Sequence, residues 1–165
     1  MAEPIAAVIF DMDGLMLDSQ RLARRAWRRA CADWGYDLTD GVYLQVVGRT
    51  VRDAEAVYRT AFGASFDFPA VYQRRLVYLD EIIHTEGVPI KPGLLEFLDA
   101  VERLTLPKAV ATSTVRSLAV ERLAIAGVLD RFDAVVCGDE VPAGKPAPDI
   151  FLAAADRLGV APAAT

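Results

Sequence analysis

Two acidic side chains follow directly on the first apolar segment of the chain. Residues 5–10 are all apolar, and Asp11 and Asp13 come immediately after them. Ionised carboxylates beside a buried segment are costly unless a charge or a hydrogen bond compensates them, so a chemical role is favoured over a solvated turn. A carboxylate at position 11 could attack phosphorus and form an aspartyl-phosphate. A carboxyl group at position 13 could protonate the leaving oxygen and later deprotonate water.

Groups suited to binding an anion follow two later apolar segments. Thr112 and Ser113 end the segment that begins at Lys108, and Lys145 lies in the loop after Ala134–Cys137. The Thr112 hydroxyl and the first N–H groups of the next helix would form an anion cradle, and the Lys145 ammonium would neutralise phosphate oxygens. Two acids and a phosphate ester still leave excess negative charge, which predicts a hard cation such as Mg²⁺. Taken alone, the threonine could be a helix cap.

The segments that carry these groups are predicted to be parallel strands. Short apolar segments alternate with helical patterns of about ten residues. The predicted strands are residues 5–10, 108–112 and 134–137. This alternation predicts an α/β fold with a Rossmann-like parallel sheet. Because ligand sites in such sheets lie beyond the carboxyl ends of the strands, the sheet would bring the acids, the hydroxyls and the lysine to one edge.

A helical segment separates the first strand from the others. Apolar residues recur there at helical spacing, and Thr39 and Thr50 are suited to cap two of its helices. We expect residues 18–89 to form an all-helical cap, inserted into a core made of residues 1–17 and 90–165.

Composition excludes several classes of protein. The chain has 165 residues, 53% of them hydrophobic, and a net charge of −5, which suits a globular protein and argues against general nucleic-acid binding. No apolar run approaches the roughly 18–20 residues of a membrane span, and the first apolar segment has no basic leader. Two cysteines, Cys31 and Cys137, are too few for a disulfide framework. We therefore expect a cytoplasmic protein that binds neither nucleic acid nor membranes.

Three motifs resemble those of a known family and occur in the family's order. Asp11–Ser19 (DMDGLMLDS) resembles the first motif of the haloacid dehalogenase-like (HAD) hydrolases, Ala109–Ser113 (AVATS) the second, and Gly144–Asp149 (GKPAPD) the third. Each motif alone is weak, but three in order make the resemblance specific, and it covers the full chain. The helical insert resembles the cap of the β-phosphoglucomutase-like branch, because too few residues separate the second and third motifs to hold the other kind of cap.

The resemblance implies a role for each residue that matches a motif. Asp11 would be the nucleophile and a metal ligand. Asp13 would be the general acid and base, and it would also bind the metal through its backbone carbonyl. Thr112, Ser113 and Lys145 would bind the phosphoryl group, and Mg²⁺ would be the cofactor.

One loop of the cap resembles the substrate-specificity loop of this branch. It contains Gly48, Arg49 and Thr50, so Arg49 could bind a distal phosphate or carboxylate of the substrate. Arg52 is an equal alternative, and an ordinary surface role for either arginine is another.

The chain departs from the family pattern at two places. No acid-bearing strand follows the last predicted helix, although the family's fourth motif completes the metal site there. We therefore expect a piece of a longer protein, or a homodimer in which a second copy supplies the strand. A monomer of these 165 residues would bind Mg²⁺ poorly and would turn over its substrate slowly. Ala23 stands where β-phosphoglucomutases carry a histidine, which disfavours a mutase. Asp13 disfavours a dehalogenase, because dehalogenases lack this second acid.

The function expected from the sequence is Mg²⁺-dependent hydrolysis of a small phosphorylated metabolite, of the sugar-phosphate type, through an aspartyl-phosphate. Two alternatives remain open: a β-phosphoglucomutase-type phosphomutase, and a non-catalytic protein that binds phosphate.

Overall fold

The computed structural model describes residues 5–162 as three parallel strands and seven α-helices. The strands are β1 (Val8–Phe10), β2 (Lys108–Thr112) and β3 (Ala134–Cys137). The helices are α1 (Ser19–Asp33), α2 (Asp40–Leu44), α3 (Val51–Phe62), α4 (Phe68–Glu86), α5 (Leu94–Arg103), α6 (Arg116–Ile125) and α7 (Asp149–Leu158). Short 3₁₀ turns at Leu129–Arg131 and Gly138–Glu140 flank β3.

The strands form one parallel sheet in the order β1-β2-β3. Every residue of β2 is buried, as expected for a central parallel strand covered on both faces. The predicted parallel α/β fold is therefore confirmed. The first strand is shorter than the apolar segment predicted, since Val8 pairs with Lys108, the first residue of β2. Residues 5–7 lie beyond the start of that neighbour and are not in the strand.

Small side chains allow α7 to pack closely on the sheet. The buried cluster between them consists of Ala109, Ala111, Val136, Ile150 and Ala154. Each fully buried aliphatic side chain of valine or isoleucine size contributes about 1.5–3 kcal/mol. This packing fixes α7 and the loop before it relative to the carboxyl ends of the strands.

The chain divides into two compact units. The sheet unit comprises the described residues up to Ser19 and from Gly87 onward, and the helical unit is Gln20–Glu86. Within the sheet unit, the two segments next to this division pair with each other: Leu17 bridges Ile90 in antiparallel fashion, and Lys91 Nζ lies 2.8 Å from Asp18 Oδ1.

The helical unit has an aromatic core of its own. The Trp27 ring lies 4.6 Å from Tyr58 and 5.8 Å from Phe68, measured between ring centroids. The predicted helix caps are confirmed in this unit, since the side chains of Thr39 and Thr50 accept hydrogen bonds from the backbone N–H groups three residues later. In the part of the chain that the structure describes, no helix combines the length and the apolar character that crossing a membrane requires.

Candidate active site

Asp11 lies just past the end of β1 and is paired with Lys145 of the loop before α7. The Lys145 ammonium donates a hydrogen bond to Asp11 Oδ1. It also donates to the backbone oxygen of Ala111 in β2 at 2.9 Å, and it lies 5.0 Å from the ring centroid of Phe151 in α7, within the range of a cation–π contact. Three elements of the sheet unit therefore hold this lysine beside the first acid.

Asp13 sits in a tight turn formed by residues 12–17. The backbone oxygen of Met12 accepts from the N–H groups of Met16 and Leu17, and Gly14 donates back to Leu17 at 2.9 Å. Gly14 has φ +84°, a left-handed conformation that costs a side-chain-bearing residue energy but is open to glycine. The turn reverses the chain directly after the strand, and it leaves the Asp13 side chain at the carboxyl end of the sheet.

Two side chains that follow the second motif in the chain contact the Asp13 carboxylate. The Thr114 hydroxyl donates to Oδ2 at 2.7 Å, and Arg122 Nη1 of α6 lies 3.5 Å from Oδ1. Each carboxylate oxygen therefore has its own partner.

Thr112 is the last residue of β2, and its side chain is buried. Its Oγ1 accepts from the N–H of Thr114 at 3.2 Å, a local bond that shapes the turn into α6. The hydroxyl hydrogen is still available to donate, because a hydroxyl has one donor and two acceptor positions. Ser113 is exposed beside it. The turn thus presents one hydroxyl to the edge of the sheet while its third residue, Thr114, contacts Asp13.

Four of the predicted site residues are linked through direct contacts. Lys145 joins Asp11 to the backbone of β2 one residue before Thr112. Thr112 bonds to Thr114, and Thr114 bonds to Asp13. The acids, one hydroxyl and the ammonium group therefore belong to one cluster at the carboxyl ends of β1 and β2, as expected for a ligand site in a parallel sheet.

The loop after β3 approaches the loop after β2 so closely that only glycine fits. A Cβ atom on Gly138 would lie 2.4 Å from the backbone oxygen of Ser113, and the Gly138 N–H donates to the Thr114 oxygen at 3.2 Å. This contact fixes the distance between the two loops that carry the hydroxyls and the lysine.

Acidic residues of the same loop have structural partners. Asp139 Oδ1 accepts from the N–H of Arg116 at the start of α6. Burial raises the pKa of Glu140, but hydrogen bonds from Arg157 and from the Cys137 N–H outweigh that effect, so that its pKa lies below the ordinary value. These contacts brace the loop that leads to Lys145.

The sequence interpretation missed Thr114 and Arg122. A signal for the arginine existed, because residue 122 lies three positions after Ala119 and one before Leu123, both buried in α6, and so borders the face that packs inward. Its side chain is only 14% exposed. Thr114 follows the second motif directly but is not one of its residues.

Arg49 belongs to the helical unit and is exposed. It lines an open cavity of about 470 Å³ together with Gln45, Asp53 and Thr60 among others. Arg52 does not line this cavity.

The acids after β1 fit a hard cation. Mg²⁺ prefers oxygen ligands and is commonly held by one or two carboxylates, with waters and substrate phosphate completing its coordination. Asp11 can supply a carboxylate oxygen and Asp13 a backbone carbonyl oxygen of this type. Among residues 5–162, no cluster of three or more histidine, cysteine, aspartate or glutamate side chains includes either of them. A cation at the carboxyl end of β1 would therefore be held by these two residues.

Comparison with known proteins gives consistent matches. A family model described as haloacid dehalogenase-like hydrolase matches residues 5–165. The chain is 33% identical over 156 residues to a phosphorylated carbohydrates phosphatase of Thermotoga maritima, covering 94% of this chain and 72% of that protein. It is 35% identical over 175 residues to the fructose-1-phosphate phosphatase YqaB of Escherichia coli, covering 98% and 85%. The solved structure of a proposed beta-phosphoglucomutase from Thermotoga maritima superposes with a TM-score of 0.78 at 32% identity, covering 94% of this chain and 71% of that one.

Proposed function

The chain belongs to the haloacid dehalogenase-like hydrolases, and from this premise we propose that it is a Mg²⁺-dependent phosphatase of small phosphorylated metabolites of the sugar-phosphate type. The names of the two similar phosphatases support this substrate class. The observation that carries the proposal is the contact between Lys145 and Asp11 at the carboxyl end of the sheet. This contact pairs a candidate nucleophile with an ammonium group that can also neutralise a phosphoryl group.

In the first step of the proposed reaction, Asp11 attacks phosphorus. A carboxylate oxygen forms a bond to phosphorus as the bond from phosphorus to the ester oxygen breaks, and Asp13 gives its proton to that leaving oxygen. The products are a free alcohol and an aspartyl-phosphate. In the second step, water attacks the phosphorus of this intermediate while Asp13 takes a proton from it, and inorganic phosphate and the Asp11 carboxylate are released.

Phosphoryl oxygens would be bound by the groups at the end of β2 and in the loop before α7. The Thr112 hydroxyl donates one hydrogen bond, Ser113 lies beside it at the exposed edge, and Lys145 contributes the positive charge. When bound, Mg²⁺ supplies further positive charge for the phosphate oxygens; Asp11 and Asp13 would hold it.

Arg49 is proposed to select the substrate. An exposed guanidinium in a cavity of the helical unit is suited to a second anionic group, because its planar donors match a phosphate or carboxylate in bidentate fashion.

The test of the proposed function is a phosphate-release assay on the purified chain with fructose 1-phosphate and p-nitrophenyl phosphate. We expect turnover with Mg²⁺ and its loss when a chelator removes the metal. Asp11→Asn should abolish turnover. Asp13→Asn should slow it and, with p-nitrophenyl phosphate, whose leaving group departs without a proton, accumulate phosphorylated protein, detected by the mass increase of a phosphoryl group. Turnover that survives Asp11→Asn would refute the nucleophile assignment, and no turnover under any of these conditions would refute the phosphatase.

A phosphomutase is the second candidate function, favoured by the superposition on the proposed beta-phosphoglucomutase. Ala23, at the position where the histidine of β-phosphoglucomutases is expected, weighs against it. Incubation with glucose 1-phosphate separates the two functions, because a mutase yields glucose 6-phosphate and a phosphatase yields glucose and inorganic phosphate.

The proposal also includes a cytoplasmic location and a monomer or a homodimer. Cys31 and Cys137 are buried and form no disulfide, which is usual in a reducing compartment. Among the described residues, β1 pairs only with β2, so a second copy could add a strand at its outer edge. Light scattering of the purified chain distinguishes the two oligomeric states.

A further inference from the structure

Each oxygen of the Asp13 carboxyl group has a partner of its own. Thr114 donates to one of its oxygens at 2.7 Å, and Arg122 approaches the other at 3.5 Å. Rotation of the carboxyl group about its last bond would break both contacts, so the pair restricts its orientation. Such restriction matters for proton transfer, because small misplacements of a reacting group lower rates steeply.

The Arg122 guanidinium contacts the Asp13 carboxylate and is held by it. Among the described residues, the only acceptor that the structure gives its guanidinium is Asp13. Two neighbouring arginines of the sheet unit differ, since Arg116 and Arg157 both pair with Glu140 and both donate to the backbone oxygen of Val135. The Arg122 side chain is only 14% exposed. Removing a charged group from water is costly without a charged partner, and here that partner is the proposed proton donor.

We propose that Arg122 is a positioning residue that, together with Thr114, fixes the orientation of the Asp13 carboxyl group for proton transfer to the leaving oxygen. The inference rests on the proposed phosphatase function, in which the proton passes from Asp13 to the ester oxygen as its bond to phosphorus breaks. Arg122 acts only through Asp13 and touches no reacting atom.

The test compares two aryl esters of similar shape whose leaving groups differ in their need for a proton. p-Nitrophenol leaves readily as the anion, whereas phenol needs more protonation. The quantity compared is kcat/KM, since it reports only steps up to release of the alcohol or phenol and excludes hydrolysis of the aspartyl-phosphate. For Arg122→Met we expect kcat/KM to fall about tenfold further on phenyl phosphate than on p-nitrophenyl phosphate, a part of the roughly 10²–10⁴-fold that general acid catalysis provides.

Matched variants separate positioning from mere stability. Arg122→Lys keeps a positive charge near Asp13 and should recover part of the loss on phenyl phosphate. Arg116→Met removes an arginine of the same helix that pairs with Glu140 instead, and should leave the ratio between the two esters unchanged. Thr114→Val removes the other contact and should shift the ratio in the same direction as Arg122→Met.

An equal fall on both esters for Arg122→Met and Thr114→Val would overturn the inference while leaving the phosphatase intact. If the unmodified chain hydrolyses neither ester, the proposed function fails and the inference fails with it.

A second measurement needs no activity. Urea denaturation of the unmodified chain, Arg122→Met, Asp13→Asn and the double variant gives a double-mutant cycle in the free energy of unfolding. We expect the double variant to be less destabilised than the sum of the two single variants, and strict additivity would show that the contact carries no coupling and overturn the inference.

Discussion

Lys145 contacts Asp11 across 134 positions of the sequence. The lysine follows β3 and the aspartate follows β1, and β2 lies between these strands in the sheet. The lysine side chain also donates a hydrogen bond to the backbone oxygen of Ala111 in this middle strand. The parallel arrangement therefore places at one edge two opposite charges that the chain order keeps far apart.

Removing this lysine should abolish most activity. Lys145→Met leaves Asp11 without its cation and a bound phosphoryl group without positive charge, so we expect kcat to fall by about 10²-fold or more. Steady-state kinetics with p-nitrophenyl phosphate measure the effect, and circular dichroism confirms folding. Lys91→Met, which removes a lysine paired with Asp18, is the comparison. Near-normal turnover by Lys145→Met would exclude the lysine from the reaction.

The close approach of Gly138 to Ser113 should make this glycine intolerant of substitution. In Gly138→Ala, a Cβ atom 2.4 Å from a backbone oxygen forces the two loops apart, and we expect a loss of about 1–3 kcal/mol in the free energy of unfolding. Urea denaturation measures it. Gly144→Ala is the control, because a Cβ there meets no atom within 4 Å. Equal free energies of unfolding for Gly138→Ala and Gly144→Ala would contradict the close approach of Gly138 to Ser113.

The free energy of unfolding should fall at low pH, partly because Glu102 becomes protonated. Hydrogen bonds from Arg131 and Lys108 lower its pKa from the ordinary 4.5 to about 2. A lowered pKa in the folded state means that the pair stabilises the protein above pH 4.5 and loses this effect as the pH falls toward 2. The Glu102 carboxylate is exposed, so added salt should weaken these ion pairs.

Urea denaturation between pH 6 and pH 3 tests this prediction. Glu102→Gln should show a smaller decrease in stability over this range than the unmodified chain, whereas Glu96→Gln in the same helix should follow the unmodified chain. An identical pH dependence for Glu102→Gln and the unmodified chain would remove Glu102 from the explanation.

The two thiols should react slowly in the folded protein. Burial raises the pKa of Cys31 to about 12 and is the largest cause of the rise in the pKa of Cys137 to about 11. Because the thiolate is the reactive form, little of either cysteine can react at pH 8. Labelling with a chromogenic disulfide reagent should be slow in buffer and rapid for both thiols in concentrated urea. Rapid labelling of both thiols without urea would show that the two sites are open to solvent.

Much of the architecture could be predicted because it depends on local patterns. The segments predicted as strands at β2 and β3 match the observed strands residue for residue, since three or four apolar residues in succession between turns have few alternatives to a buried parallel strand. Thr39 and Thr50 begin helices because their side chains bond to nearby N–H groups. The order of the three motifs was likewise enough to predict the family.

Other features depended on the tertiary structure because they arise between distant segments. The start of β1 at Val8 follows from its register with Lys108, which no property of residues 5–7 reveals. The partners of Asp13 come from a turn and a helix about a hundred positions away. The residue types and their spacing indicate which side chains can do chemistry. The groups that hold those side chains depend on the packing of the sheet and α6, because hydrogen bonds and ion pairs require distances that only the folded chain sets.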